Sequence, residues 1–140
     1  MILGIPLGDV TGIGPEVALR AVARLAGEEA DIRHVLVGDP GVVRRLCGLM
    51  GLESDLPRWR GTASEPSRVY LLPVSDTELP EDLRPGDPRA ALSAVSALRE
   101  GATRCLSGEF DGLVTAPVNK ASILEAGVPF VGQTEFLAEL

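Results

Sequence analysis

Histidine is almost missing from this chain: His34 is the only one among 140 residues, and Cys47 and Cys105 are the only cysteines. One histidine cannot build a His-based metal site, and two cysteines form neither a CxxC repeat nor a disulfide framework. Both cysteines fall in apolar periodic segments and read as unspecialised thiols of a reducing compartment. His34 stands just before the apolar run Val35-Leu36-Val37, where a structural role is expected. Basic residues are also scarce, with 13 Lys and Arg against 20 Asp and Glu and a net charge of -7. Without a Lys/Arg cluster to displace counterions, nucleic acid is not an expected partner. No apolar run approaches the roughly eighteen residues that a bilayer span needs, so no membrane partner is expected. Met1 to Ile5 lacks both a basic n-region and a small-residue cleavage site, which points to a cytoplasmic protein. No Ser-His-Asp set, Cys-His pair or HExxH element is present.

What is present suits an ordinary globular domain. Hydrophobic residues make up 45% and charged residues 24% of the chain, enough for one α/β domain with a core but not for two. Ile2 to Leu7 reads as a buried strand and Gly8 to Pro15 as a glycine-rich loop. The helix that follows has Pro15 in its first turn, Glu16 at the positive end of its dipole, Val17, Ala21 and Leu25 on one apolar face, and Gly27 as its end. Val35 to Val37 gives a second strand. Gly38-Asp39-Pro40 opens a second helix through Val42, Val43, Leu46 and Met50, which Gly51 stops.

Residues 53–89 are rich in Pro, Asp, Ser and Arg and read as an irregular segment or arm, with Val69 to Val74 its one good strand, an edge strand or part of the arm. Arg89 to Leu106 has helical spacing, with enough alanine and serine for close packing. Gly112 to Pro117 reads as a strand ending in a sharp turn. Asn119 then caps a short helix, Ala121 to Ala126, with Gly127 as its C′ residue. Glu135 to Leu140 reads as an amphipathic helix cut before its terminator, which suggests truncation. Strands alternating with helices predict a mainly parallel sheet covered on both faces, with ligands at the carboxyl ends of the strands.

Three segments could carry chemistry. Gly8-Asp9-Val10-Thr11-Gly12-Ile13-Gly14-Pro15-Glu16 fails both G-x-G-x-x-G and the P-loop pattern, and Glu16 would repel a phosphate at that helix terminus. Asp9, Thr11 and Gly12 are candidates to line a cleft around a substrate hydroxyl; a plain strand-to-helix turn explains them equally. In Thr115-Ala116-Pro117-Val118-Asn119-Lys120 a buried strand delivers a hydroxyl, an amide and a cation to its carboxyl end. Lys120 opposes the dipole of the helix it begins and either meets an anion or is a solvated surface lysine. In Phe130-Val131-Gly132-Gln133-Thr134-Glu135-Phe136, Thr134 can cap the last helix or touch a ligand, and Gln133 adds a donor and an acceptor.

These segments, with Val37-Gly38-Asp39-Pro40 and Gly108-Glu109-Phe110-Asp111, follow the order and approximate spacing of the 4-hydroxythreonine-4-phosphate dehydrogenase family, which the chain resembles over nearly its whole length. The resemblance implies the N-terminal portion, truncated, of an isocitrate/isopropylmalate-dehydrogenase-like three-layer α/β fold. It implies a homodimer with the active site near the subunit interface. The implied reaction, part of pyridoxal phosphate synthesis, oxidises 4-phosphooxy-L-threonine or a related phosphorylated hydroxy acid with NAD or NADP. A divalent metal, zinc, magnesium or cobalt, polarises the developing carbonyl before carbon dioxide is lost.

The family's Gly-His-Thr-Glu-Phe segment touches substrate through its His and Thr, which match Gln133 and Thr134 here. Glutamine can hydrogen-bond a phosphate or hydroxyl but carries no charge. The resemblance places the three metal-ligating histidines and most NAD contacts in a C-terminal part absent from this chain, so these 140 residues alone are expected to be inactive. Two alternatives remain: a phosphate acyltransferase-like protein of the same fold, and a non-catalytic dimeric binding fragment.

Overall fold

The computed structural model describes residues 1–28, 31–61 and 67–140. Residues 62–66, within the stretch expected to be irregular, lie outside the described residues.

The first half is a β-α-β-α-β run: β1 (Ile2–Pro6), α1 (Gly14–Glu28), β2 (Arg33–Gly38), α2 (Pro40–Met50) and β3 (Val69–Pro73). The second half contains α3 (Pro88–Leu106), β4 (Gly112–Leu113), α4 (Lys120–Glu125) and α5 (Gln133–Ala138). The strands form one sheet in the order β3-β2-β1-β4, every pair parallel, with Ile5 opposite Leu36 and Leu36 opposite Leu71. β3 therefore sits at one edge. Although β4 is only two residues long, its pairing with β1 continues as the Val114 and Ala116 amides donate to the Gly4 and Pro6 carbonyls.

Local chemistry sets several boundaries. Asp39 caps α2 by accepting from the Val42 amide at 2.9 Å, Pro40 occupies the first turn, and Gly51 ends the helix at φ 65°. Only glycine adopts that left-handed conformation cheaply. Asp87 caps α3 in the same way, accepting from the Arg89 amide, again with a proline next in sequence.

The sheet separates two apolar layers. On one side Ile5, Leu7, Leu36 and Leu71 meet Ala18, Leu19 and Val22 of α1 and Val43 and Cys47 of α2. The buried face of α1 is thus Ala18-Leu19-Val22, not the expected Val17-Ala21-Leu25 stripe, whose Val17 is 52% exposed. α1 carries two apolar stripes, and periodicity does not say which one meets the sheet. On the other side Val35, Val37, Tyr70 and Leu72 pack with Trp59, Phe110 and Ala97 of α3. α3 also joins α4 and α5 in a cluster of Ala91, Val95, Leu98, Ile123, Phe130 and Phe136.

Trp59 anchors the irregular stretch in this core. Its ring meets Tyr70 edge-on at 5.1 Å, and its indole N–H donates to Glu109 Oε1 at 2.5 Å. Arg104 holds the same carboxylate through Nη1 at 2.6 and 2.8 Å. Burial works against the Arg104 charge, but the hydrogen bonds that the guanidinium donates to Glu109 and Glu100 outweigh it and raise its pKa above the ordinary value.

α5 differs from expectation at both ends. Its N-cap is Gly132, in extended conformation, while Thr134 lies inside the helix. Gly132 carries no side chain to accept from the first amides of the helix, and its extended backbone is a conformation that any residue adopts. At the other end the helix stops at Ala138, and the Glu139 amide donates to the Glu135 carbonyl.

Candidate functional site

The strand order creates one distinctive place. From β1 the chain moves outward through β2 to β3, then returns through α3 to the opposite side of β1 as β4. The connections leaving β1 and β4 therefore flank a topological switch point, where open parallel sheets open a crevice at their carboxyl ends. Two of the three candidate segments are those connections, and the third packs against them.

Backbone contacts hold the three together. The Asp9 amide donates to the Pro117 carbonyl at 2.9 Å, and the Gln133 side-chain amide, Nε2, donates to the Ala116 carbonyl at 3.0 Å. Gly8 has φ 72°, and a Cβ there would stand 2.2 Å from the Pro117 oxygen; at Gly14 a Cβ would stand 2.9 Å from the Leu7 oxygen. These glycines bring one protein loop against another. The backbone approach that a dinucleotide loop reserves for a pyrophosphate is taken up here by residues 116–117, so the Gly8–Gly14 loop does not fit a nicotinamide cofactor's phosphates.

The polar side chains divide into committed and open groups. Asp9 Oδ1 accepts from the Thr11 amide at 2.9 Å and from the Thr11 hydroxyl at 2.7 Å, an Asx turn that fixes both residues. The Gly12 amide donates to the Asp9 carbonyl, and Gly12 itself is exposed. Asn119 Oδ1 caps α4 by accepting from the Ser122 amide at 3.2 Å, as its position predicts. Thr115, Lys120 and Thr134 are exposed, and Lys120 forms none of the ion pairs among the described residues. Sequence reasoning did not foresee the carbonyls of Ala116 and Pro117 as the acceptors that join the segments, because a backbone carbonyl has no sequence signature.

The remaining reactive groups lie elsewhere. Burial raises the pKa of both Cys47 and Cys105, which keeps them protonated and disfavours thiolate chemistry. His34 is buried within β2. Among the described residues no group of three His, Cys, Asp or Glu side chains is arranged to hold a metal ion, so the residues present do not fit a metal centre of their own. No helix among them is long and apolar enough to cross a membrane.

Comparison with known proteins gives a consistent result. A family model described as pyridoxal phosphate biosynthetic protein PdxA matches residues 30–140. The 4-hydroxythreonine-4-phosphate dehydrogenase of Thioalkalivibrio sulfidiphilus is 36% identical over 140 residues, covering 98% of this chain but 41% of that protein. The enzyme of the same name from Pseudomonas aeruginosa is 37% identical over 137 residues, covering 95% of this chain and 40% of its own length. The crystal structure of a 4-hydroxythreonine-4-phosphate dehydrogenase from Burkholderia phymatum matches with a TM-score of 0.84 at 27% identity, over 99% of this chain and 42% of that one. These relatives are thus more than twice as long as the chain, whose matching segments, sheet and switch point all lie within their shared part. The chain belongs to the family of the pyridoxal phosphate biosynthetic protein PdxA.

Proposed function

We propose that these residues form the N-terminal part of a metal- and NAD(P)-dependent dehydrogenase that oxidises and decarboxylates 4-phosphooxy-L-threonine or a closely related phosphorylated hydroxy acid. The observation that carries this reading is the pair of hydrogen bonds, Asp9 to Pro117 and Gln133 to Ala116, which tie three family-matching segments together beside the switch point. In this reading Gln133 and Thr134 contact the substrate, and Asp9, Thr11, Gly12, Thr115, Asn119 and Lys120 line the cleft. Gln133 keeps one amide hydrogen bond for the loop and offers its remaining donor and its oxygen to the ligand, while Lys120 supplies positive charge.

The metal and the nicotinamide belong to polypeptide outside this chain. When bound they supply carbonyl polarisation and the hydride acceptor, and this chain's residues position the substrate. A homodimer and a cytoplasmic setting are part of the same proposal. A relative from Cutibacterium acnes, 32% identical and provisionally described as a D-threonate 4-phosphate dehydrogenase, supports keeping phosphorylated threonate within the substrate range.

The test is nicotinamide reduction by a polypeptide of the relatives' length carrying these residues at its start, supplied with a divalent metal and a panel of phosphorylated hydroxy acids. Turnover of at least one member is expected, and Gln133→His should change the preference within the panel. Absence of turnover across the panel would defeat the dehydrogenase reading. NAD reduction by the 140-residue chain alone would defeat the assignment of metal and cofactor to the rest of the protein.

A further inference from the structure

The β3 edge of the sheet, with β2 between it and the strands of the switch point, carries a polar cavity against α3. It measures about 370 Å³, and its polar walls are Arg58, Ser96, Arg99, Glu100 and Arg104, with the end of β3 as its apolar side. None of these residues belongs to the candidate cleft. Three arginines face one carboxylate in these walls, although the whole chain has 20 acidic against 13 basic side chains. Positive charge is thus concentrated in one place on an acidic protein.

The three arginines are not equivalent. Arg104 is committed, donating from Nε to Glu100 at 2.9 Å and from Nη1 to Glu109 at 2.6 and 2.8 Å. Arg58 and Arg99 form none of the ion pairs among the described residues, and both are exposed. Their backbones are nonetheless fixed. Arg58 lies on a short parallel extension outside β3, where the Leu71 amide donates to the Pro57 carbonyl and the Trp59 amide to the Leu71 carbonyl. Arg99 rises from α3, and its Cζ stands 5.0 Å from the centre of the Phe136 ring. That contact consumes no N–H, so the guanidinium keeps its donors for another partner. Two unpaired cations around one cavity repel each other, and a dianion in the cavity removes that cost while accepting from both.

We propose that this cavity binds a phosphate group, either free phosphate or that of a small phosphate monoester, with Arg58 and Arg99 donating to its oxygens and Ser96 adding a hydroxyl. The fork of N–H donors on a guanidinium matches phosphate oxygens in pairs, which an ammonium cannot do. Arg104, held by its two carboxylates, keeps the α3 wall in place. The end of β3 gives apolar contact to the carbon attached to a monoester. Because the cavity shares no residue with the candidate cleft, it and the substrate proposed above can be occupied together.

The experiment measures thermal unfolding in inorganic phosphate and in glycerol phosphate, each against sodium chloride of equal ionic strength. The Tm of the unsubstituted protein is expected to rise by roughly 3 °C or more at saturation. Arg58→Ala and Arg99→Ala, both at exposed positions, should each lose roughly half or more of that rise, whatever their own starting Tm. A larger rise with glycerol phosphate marks a monoester as the occupant, and equal rises mark the free ion. A rise that survives both substitutions would overturn the proposal, since phosphate then acts only by its general exclusion from the protein surface. A rise lost in Lys120→Ala but kept in both arginine variants would overturn it in favour of the candidate cleft, and so would no rise at all in favour of an empty cavity.

Discussion

The connection leaving β1 and the connection leaving β3 both emerge at the carboxyl rim of the sheet, but they are held in opposite ways. Residues 7–13 are fixed by backbone: the Asp9 amide meets the Pro117 carbonyl, the Gly12 amide meets the Asp9 carbonyl, and Gly8 lets two loops approach to a distance that no Cβ would permit. Residues 74–87 are fixed mainly by side chains. The Leu79 amide donates to Asp39 Oδ2 at 2.8 Å, Arg44 grips Glu78 at 3.1 and 2.7 Å, and Asp87 pairs with Arg89. A loop pinned through its backbone tolerates few substitutions at the contact. A loop pinned by exposed ion pairs can lose one and remain in place.

The contrast can be broken at its strongest point with Gly8→Ala, which adds a Cβ 2.2 Å from the Pro117 oxygen in a left-handed conformation. A loss of roughly 4 kcal/mol or more is expected in urea unfolding, in the far tail of single substitutions. A loss below about 1 kcal/mol would show that the loop is not fixed by this approach. Asp39→Ala comes next. Asp39 is buried and serves both α2, as its cap, and the β3–α3 connection through Leu79, so removing it should cost about 2 kcal/mol and raise amide exchange at Leu79 more than in the 7–13 turn.

Gln133→Ala removes the side-chain hydrogen bond to Ala116 and should cost about 1 kcal/mol, with faster exchange confined to residues 114–119. Uniform protection across those residues would show that Gln133 does not clasp the loop. The smallest effect is that of acid. Hydrogen bonds from Arg44 and Arg89 hold the Glu78 and Asp87 carboxyls below their ordinary values. Their contribution is therefore complete above the usual carboxylate range, about pH 4, and is lost as pH falls through the lowered values. Because both ion pairs are exposed, the expected change is a slight loosening of residues 76–87 below about pH 4, visible in amide exchange and weakened by salt.

How much of this was legible in the sequence depends on how far each signal reaches. α2 could be read almost residue by residue, because its cap, its proline and its left-handed glycine act within the helix itself. The order of strands and helices followed from periodicity. The buried face of α1 did not, since Val17-Ala21-Leu25 and Ala18-Leu19-Val22 are both apolar, and the choice depends on what lies beside the helix. The cap of α5 differs because Thr134 has the right chemistry but stands two residues past the Gly132 N-cap, and capping chemistry alone does not fix where a short helix starts. At the candidate site the segments were visible as motifs, but not their joining through carbonyls of residues 116 and 117. Trp59 illustrates the same limit, since its partner Glu109 is fifty positions away.

The position of β1 inside the sheet also bears on how the chain acquires its structure. β1 finds β2 about thirty residues downstream, with Ile2 opposite Arg33, but its other neighbour begins only at Gly112, opposite Leu3. Loop closure over such a span is entropically costly, and non-local parallel pairing is slow. The three strands β1, β2 and β3 can therefore assemble while one flank of β1 is still unpaired and open to wrong partners. Amide protection during refolding is therefore expected to appear in β2 before it appears at Val114, whose amide donates to Gly4; simultaneous protection would show that both flanks of β1 pair together.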